Sequence, residues 1–272
     1  MNLDQWKGRW TLITGASAGI GKAFAEQLAK GGSNLVLTAR RADRLEALAA
    51  QLRSAHSIQV ECVAADLDLP DAPEQIFKFT QSKGLVVDFL INNAGFGQYG
   101  EFRTTALDRQ LSMVQVNCMA VVHLTHLYLP GMMERRRGDI LILASTASFQ
   151  AVPYMSVYAA TKSFDLLFAE GLAREVSSYG IRVCALCPGA TESEFHVVAS
   201  APTDRPGRSV ETAEQVVLVG LEAIAAGKHH VVSGFSNRAA AQLQRVLPRR
   251  VVTSATAKLF RPKSPSGGTT TA

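Results

Sequence analysis

The sequence predicts an α/β fold: a doubly wound, mostly parallel sheet of about seven strands, Rossmann-like, with helices on both faces. Three observations predict it. Short apolar runs alternate with longer amphipathic segments, the runs mostly lack the period-two alternation of a half-exposed strand, and a glycine-rich turn joins the first run to the first helix. In order, RWTLIT (9–14) leads to a helix from about Gly19, NLVLTA (34–39) to one containing RLEALAAQL (44–52), and IQVECVAA (58–65) to one around PEQIFKFTQ (73–81). The runs VVDFLINNAG (86–95), DILILAS (139–145), IRVCALCPG (181–189) and HHVVSG (229–234) complete the strands. Strands this apolar are buried on both sides, and right-handed crossovers then nearly fix the topology. Residues 210–228 (VETAEQVVLVGLEAIAAGK) read as a helix with acidic residues near its start and Gly-Lys at its close.

Composition excludes several classes of protein. In 272 residues, a hydrophobic share of 47% beside 19% charged residues leaves ample material for a core and excludes wholesale disorder. The start MNLDQWKGRW lacks the apolar stretch of a secretion signal, and no run approaches the roughly 18 apolar residues of a membrane span. A cytoplasmic location is the expectation. Cys62, Cys118, Cys184 and Cys187 are too few for a disulfide framework and are expected to be reduced and packed. The formal charge of +5 is unevenly distributed. Lys228, Arg238, Arg245, Arg249, Arg250, Lys258, Arg261 and Lys263 are joined by no Asp or Glu, so the preceding 227 residues carry a net negative charge.

The turn TGASAGIG places Gly15, Gly19 and Gly21 where a strand becomes a helix, so bare backbone can approach a pyrophosphate at the positive end of that helix. A tight turn that merely packs closely uses the same glycines. At the end of the second strand, Arg40 and Arg41 stand with no carboxylate before Asp43. A guanidinium there suits the 2′-phosphate of NADP(H), whereas a carboxylate would suit the 2′-hydroxyl of NAD(H). NADP(H) is therefore the preferred cofactor, with NAD(H) as the alternative. Further on, Tyr158 and Lys162 lie four residues apart at the start of a helix and so share a face. A phenol with a pKa of about 10 is a poor acid-base catalyst at neutral pH until a neighbouring cation lowers that value. Ser145 closes the run DILILAS at the carboxyl edge of the sheet, where its hydroxyl can hold a substrate carbonyl or simply cap the next turn.

With these groups in one order, together with Asn92-Asn93-Ala94-Gly95, Asn117 and Pro188-Gly189, the chain resembles the short-chain dehydrogenase/reductase (SDR) family from about Arg9 to Lys228. The resemblance implies oxidoreduction between a carbonyl and an alcohol. Tyr158 would be the proton donor, Ser145 would orient the carbonyl oxygen, Lys162 would bind ribose and lower the tyrosine pKa, and Asn117 would anchor a proton-relay water. Around the cofactor it places Gly15, Ser17, Gly19, Ile20, Gly21, Asn93, Ala94 and Gly95, with Asp66 at the adenine. Pro188, Gly189 and a hydroxyl from Thr191 or Ser193 would lie at the carboxamide. Three departures stand out: Ala18 occupies a turn position that is basic in many NADP(H)-using members, the threonine expected after Pro-Gly is matched in position by Ser193, and the basic tail lies beyond the family's common core. The substrate is expected to be a small to medium apolar carbonyl compound, met by Ser145, Phe96, Gln98, Tyr154 and the loop 190–210.

These motifs make residues 1–227 a dinucleotide-binding catalytic domain and 228–272 a last strand with a basic amphipathic extension whose end is expected to be disordered. In that extension, apolar residues at helical spacing flank a break at Pro248. Two short helices there would contact a membrane surface, cover the substrate cleft or join subunits of a homodimer or homotetramer. Nucleic acid is not an expected partner, because stacking aromatics are few in the tail. No metal is expected: Cys184 and Cys187 lie in a strand, and His123 with His126 lacks a third ligand at suitable spacing. A second class of function is a non-catalytic dinucleotide sensor that signals through the tail.

Overall fold

In a computed structural model, which describes residues 3–199 and 210–262, seven parallel strands form one sheet. They are β1 (Trp10–Thr14), β2 (Asn34–Ala39), β3 (Val60–Ala64), β4 (Val87–Asn92), β5 (Gly138–Leu143), β6 (Ile181–Cys187) and β7 (His230–Val232). Their spatial order is β3-β2-β1-β4-β5-β6-β7. The chain reverses direction across the sheet between β1 and β4, which opens a crevice at their carboxyl ends. Every residue of β4 and nearly every residue of β6 is buried, as their unbroken apolar sequences require.

Each face has its own core. On one side, α1 (Gly19–Lys30), α2 (Ala42–Ala55) and a later helix, α8 (Ala213–Ala225), bury Phe24, Leu28, Leu45, Leu52, Leu221 and Ile224 against alternate residues of the strands. On the other, α3 (Ala72–Ser82), α5 (Ala120–Glu134) and α6 (Ser156–Val176) bury Ile76, Leu124, Met132, Leu166 and Leu172. Ahead of α5, α4 (Leu107–Val114) runs into it through a π-helical turn at Gln115–Met119, the kind of local widening that often marks a functional side chain. Thr212 caps α8 in a reciprocal box with Gln215, which fixes the start of the helix expected over 210–228.

The strand lengths correct two expectations. β5 ends at Leu143, so Ser145 stands beyond the strand, where its hydroxyl accepts a hydrogen bond from the Ala147 N–H and caps a short 3-10 turn. β7 has only three residues, since Ser233 and Gly234 turn the chain into α9 (Phe235–Leu243). A short α7 (Phe195–Val198) follows β6, and α10 (Arg249–Phe260) ends the described chain, with Pro248 at its N-cap. Both tail helices form where the apolar spacing put them, on either side of Pro248. Loop residues 200–209 lie outside the described residues, as do residues 263–272 of the segment 261–272 expected to be disordered.

At the amino ends of the strands, buried Asp139 ties three elements together. It accepts hydrogen bonds from Trp6 Nε1 at 2.8 Å and, in a fork, from Arg182 Nε at 2.6 Å and Nη2 at 2.8 Å. Trp6 in turn stacks on Phe89 of β4 with ring centres 5.1 Å apart. Asp139→Ala strands both donors, and by the usual cost of breaking a buried charged pair it is expected to remove about 3 kcal/mol of unfolding free energy. Urea denaturation measures this directly; an unchanged midpoint would show that the clamp contributes nothing.

Candidate active site

The glycine turn is a cradle of bare backbone. Gly15 has φ +66°, and a side-chain carbon added to it would stand 2.9 Å from Asn93 Nδ2. A side-chain carbon on Gly21 would collide with the Gly15 carbonyl oxygen. Helix α1 begins at Gly19 with Ala18 as N-cap; no side chain caps it and no acidic residue occupies its first turn. Its leading N–H groups have no side-chain cap among the described residues and open the helix at the crevice, which is the chemistry a pyrophosphate requires. Residues Gly15, Ser17, Gly19, Ile20, Gly21, Arg40, Arg41, Asp66, Asn93, Ala94, Gly95 and Ser193 all line this cavity of about 300 Å³.

Its far edge is cationic. Arg41 donates from Nε and Nη2 to Ser17 Oγ at 3.3 and 3.0 Å, and its Nη1 pairs with Glu194 Oε2 at 2.9 Å. Arg44 takes the other oxygen of Glu194 at 2.7 Å, and these two hydrogen-bonded cations hold the carboxyl below the usual carboxylate range. Arg40 forms no ion pair among the described residues. Arg109 of α4 lies 4.0 Å over the Phe96 ring; partial burial and nearby Arg40 lower its pKa. Sequence reasoning singled out Arg40 and Arg41. Arg44, one helical turn past Arg40, and Arg109, distant in sequence, escaped it.

A second cavity, of about 500 Å³, adjoins the first through Ile20, Asn93, Gly95, Leu143, Ser193 and Phe195. Ser145, Tyr158, Lys162, Pro188, Gly189 and Thr191 line it. Tyr158 sits in the first turn of α6 with its ring 5.2 Å from that of Phe195. Lys162, one turn further, is buried; its Nζ donates to the Leu143 carbonyl at 2.6 Å and to Asp165 Oδ2 at 2.9 Å. Burial disfavours the ammonium, but the Asp165 carboxylate and the Tyr158 oxygen outweigh it, so the pKa of Lys162 lies above that of a free lysine. For Asp165, burial dominates and raises the carboxyl to about 6, with Lys162 opposing.

Asn117 lies in the π turn, behind both cavities. Its Oδ1 accepts from the Phe96 N–H at 3.1 Å, and its Nδ2 donates to the Phe96 carbonyl and to Thr161 Oγ1, each at 3.0 Å. Both side-chain N–H groups are thus engaged, and the residue brackets the loop after β4 to α6. Ser148 is a similar bracket: it donates to the Lys162 carbonyl at 2.6 Å and accepts from the Ser145 N–H at 3.2 Å.

Three residues expected at the substrate are placed otherwise. Phe96 lines the cofactor-side cavity under Arg109. Gln98 turns its amide to the Tyr99 carbonyl and to Arg109, and Tyr154 sits at φ +67° in a turn where its carbonyl accepts from the Gly100 N–H; neither is among the described residues lining these two cavities. Their place is taken by the tail. Ser236, Asn237, Ala240, Leu259 and Phe260 line the larger cavity with Val152 and Met155. The Tyr99 hydroxyl donates to the Phe260 carbonyl at 2.8 Å, and Thr256 Oγ1 donates to the Ala151 carbonyl at 3.1 Å, so α10 is tied across the cleft. Of the three roles considered for the tail, cleft covering is thus realised. The cysteines of β6 are inert: burial pushes the Cys184 thiol up to about 12 and raises that of Cys187 further.

Nucleotide cradle and hydroxyl–phenol–ammonium set on one parallel sheet define an oxidoreductase site, and comparison with known proteins places it. Residues 9–203 match the short chain dehydrogenase family, and the chain belongs to that family. It is an oxidoreductase acting between an alcohol and a carbonyl. It is 32% identical over 219 residues to a very-long-chain 3-oxoacyl-CoA reductase of Mus musculus, covering 79% of this chain and 70% of the relative. A short-chain dehydrogenase from Sphingobium yanoikuyae in complex with NADPH superimposes with TM-score 0.80 at 29% identity, over 95% of this chain and 99% of that one. A 3-oxoacyl-[acyl-carrier protein] reductase from Brucella melitensis with bound NAD gives 0.74 at 27%, over 85% and 91%.

The buried pair yields a test. Without the Asp165 carboxylate, the ammonium of Lys162 keeps its desolvation and loses its counter-ion, so its folded-state pKa falls. In wild type, stability owed to the charged lysine is present below the pKa of a free lysine and is lost as pH rises through the raised folded value; in Asp165→Asn the folded value drops below that of a free lysine, so the charged form costs stability that is regained as pH rises between the two. The variant is expected to lose about 3 kcal/mol of stability, and the alkaline limb of its pH–rate profile is expected to move toward neutrality. An alkaline limb unmoved from wild type would show that Asp165 does not govern the charge of Lys162.

Proposed function

We propose that this enzyme is an NADP(H)-dependent carbonyl reductase with Tyr158 as its proton donor and a lipophilic carbonyl compound as its substrate. One observation carries the reading: Ser145, Tyr158 and Lys162 line a cavity that opens directly into the glycine cradle and its arginine edge. When bound, the cofactor supplies a hydride to the carbonyl carbon. Ser145 Oγ already accepts from the Ala147 N–H, so its own hydrogen is available to the carbonyl oxygen. As negative charge develops on that oxygen, the Tyr158 phenol transfers its proton to it. The ammonium of Lys162, held charged by Asp165, favours the resulting phenolate. Arg40, with Arg41 released from an exposed pairing worth at most about 1 kcal/mol, receives the 2′-phosphate.

The substrate class rests on the cavity walls. Val152, Met155, Leu259 and Phe260 offer apolar surface on the side away from the cradle, suited to an acyl chain or a fused-ring body. The family relatives named 3-oxoacyl reductases make 3-oxoacyl thioesters the first substrates to try. A homo-oligomer is also supported: Leu107, Leu111 and Val114 of α4 and Phe164 and Leu167 of α6 stand exposed on neighbouring helices. For a dinucleotide sensor, an intact proton-transfer set has no use.

Two variants test the assignment. Tyr158→Phe is expected to bind NADPH as wild type does while kcat for reduction of a 3-oxoacyl thioester falls by about 10² to 10⁴, the usual worth of a positioned proton donor. A variant that turned over normally would show that Tyr158 is not the proton donor, whereas NADPH binding without turnover in either protein would favour the sensor. Arg40→Ala is expected to weaken NADPH binding by roughly tenfold or more and to leave NADH binding unchanged, measured by fluorescence titration. Equal losses for both nucleotides would mean that Arg40 does not meet the 2′-phosphate.

A further inference from the structure

We infer that α9 and α10 form a docking surface for an anionic phospholipid bilayer and hold the mouth of the substrate cavity against it. The charge is one-signed. Arg238, Arg245, Arg249, Arg250, Lys258 and Arg261 are all exposed, and none forms an ion pair among the described residues. Aliphatic side chains stand out between them: Leu243, Val246, Leu247, Val251 and Leu259 are exposed, Val246 by 77%. Apolar side chains interleaved with cations suit a lipid headgroup region, where each reaches its own layer. A subunit interface gathers its apolar residues into a core from which charges are depleted, which this surface does not do. Among the described residues no helix is long and apolar enough to cross a membrane, so contact would be made at its surface.

Position gives the surface a purpose. Leu259 is both exposed and a lining residue of the cavity that holds Tyr158, and Ala240 of α9 lines the same cavity. The surface is also fixed to the body of the enzyme by the Tyr99–Phe260 and Thr256–Ala151 hydrogen bonds. A lipophilic carbonyl compound dissolved in the bilayer would then pass from acyl chains to Leu259 and Phe260 without crossing water. Docking itself does not depend on the cofactor or on Tyr158, so it stands or falls apart from the proposed reaction.

Sedimentation of the full chain with phosphatidylcholine vesicles, with and without phosphatidylserine, tests it at low and high salt. Wild type is expected to pellet with the anionic vesicles only, and less so as salt rises. Two variants keep the fold under watch through their thermal midpoints: Arg249→Glu with Arg250→Glu, and Val246→Ser with Val251→Ser. The first is expected to bind anionic vesicles at least about tenfold more weakly, from about a factor of five per basic residue at such a surface, and the second also to bind more weakly. Wild type remaining in the supernatant would overturn the inference. So would vesicle binding unchanged in both variants, including the case where size-exclusion chromatography shows that they have lost a subunit contact instead.

Discussion

Thr14 and Asn93 exchange hydrogen bonds across the gap between β1 and β4, and the working parts of the enzyme are arranged around that junction. Thr14 Oγ1 accepts from the Asn93 and Ala94 N–H groups, each at 2.9 Å, and Asn93 Nδ2 donates to the Thr14 carbonyl at 2.7 Å. Parallel strands that diverge at a topological switch have no ladder bonds past their ends, so side chains must hold the crevice to a fixed width. Here that width is set by one threonine and one asparagine, both buried. On one side of the junction the chain turns through Gly15 into α1. On the other it runs through Gly95 toward the loop that Asn117 brackets to α6. The glycine cradle and Tyr158 are therefore referred to one rigid point.

A second constraint is the burial of charge. Lys162 is buried, where an unpaired ammonium would shed its proton, and Asp165 one turn away prevents this. One Asp165 oxygen has no hydrogen-bond partner among the described residues, so the pair carries a further desolvation cost of its own. Such an arrangement makes sense where a fixed positive charge is needed beside a phenol. Stability alone would favour a hydrocarbon in both positions.

The sheet and the glycine turn were legible because their signals are local: unbroken apolar runs for strands, and glycines where only bare backbone fits. Residues of the cradle followed for the same reason, whereas Ser145, Tyr158 and Lys162, each weak alone, stood out only by the order of the motifs along the chain, and the fold brings the three to one cavity. Contacts that depend on the closed tertiary structure were not legible. Gln98 and Tyr154 are near the cleft in sequence terms, yet a hydrogen bond to Arg109 and a left-handed turn point them elsewhere. Leu259 and Phe260 come more than a hundred residues after Ser145, and only the tie between Tyr99 and Phe260 reveals that they close the cavity. Asp165 could have been found: a carboxylate three residues after Lys162 shares its face of the helix.

In the proposed reaction one cleft delivers both a hydride and a proton to the same carbonyl group. Turnover of 3-oxoacyl thioesters and apolar ketones with NADPH deuterated on both faces of its hydride-donating carbon tests this. Deuterium is expected on the carbinol carbon of the product, detected by mass spectrometry. Bound NADPH whose deuterium reaches none of these substrates would contradict it.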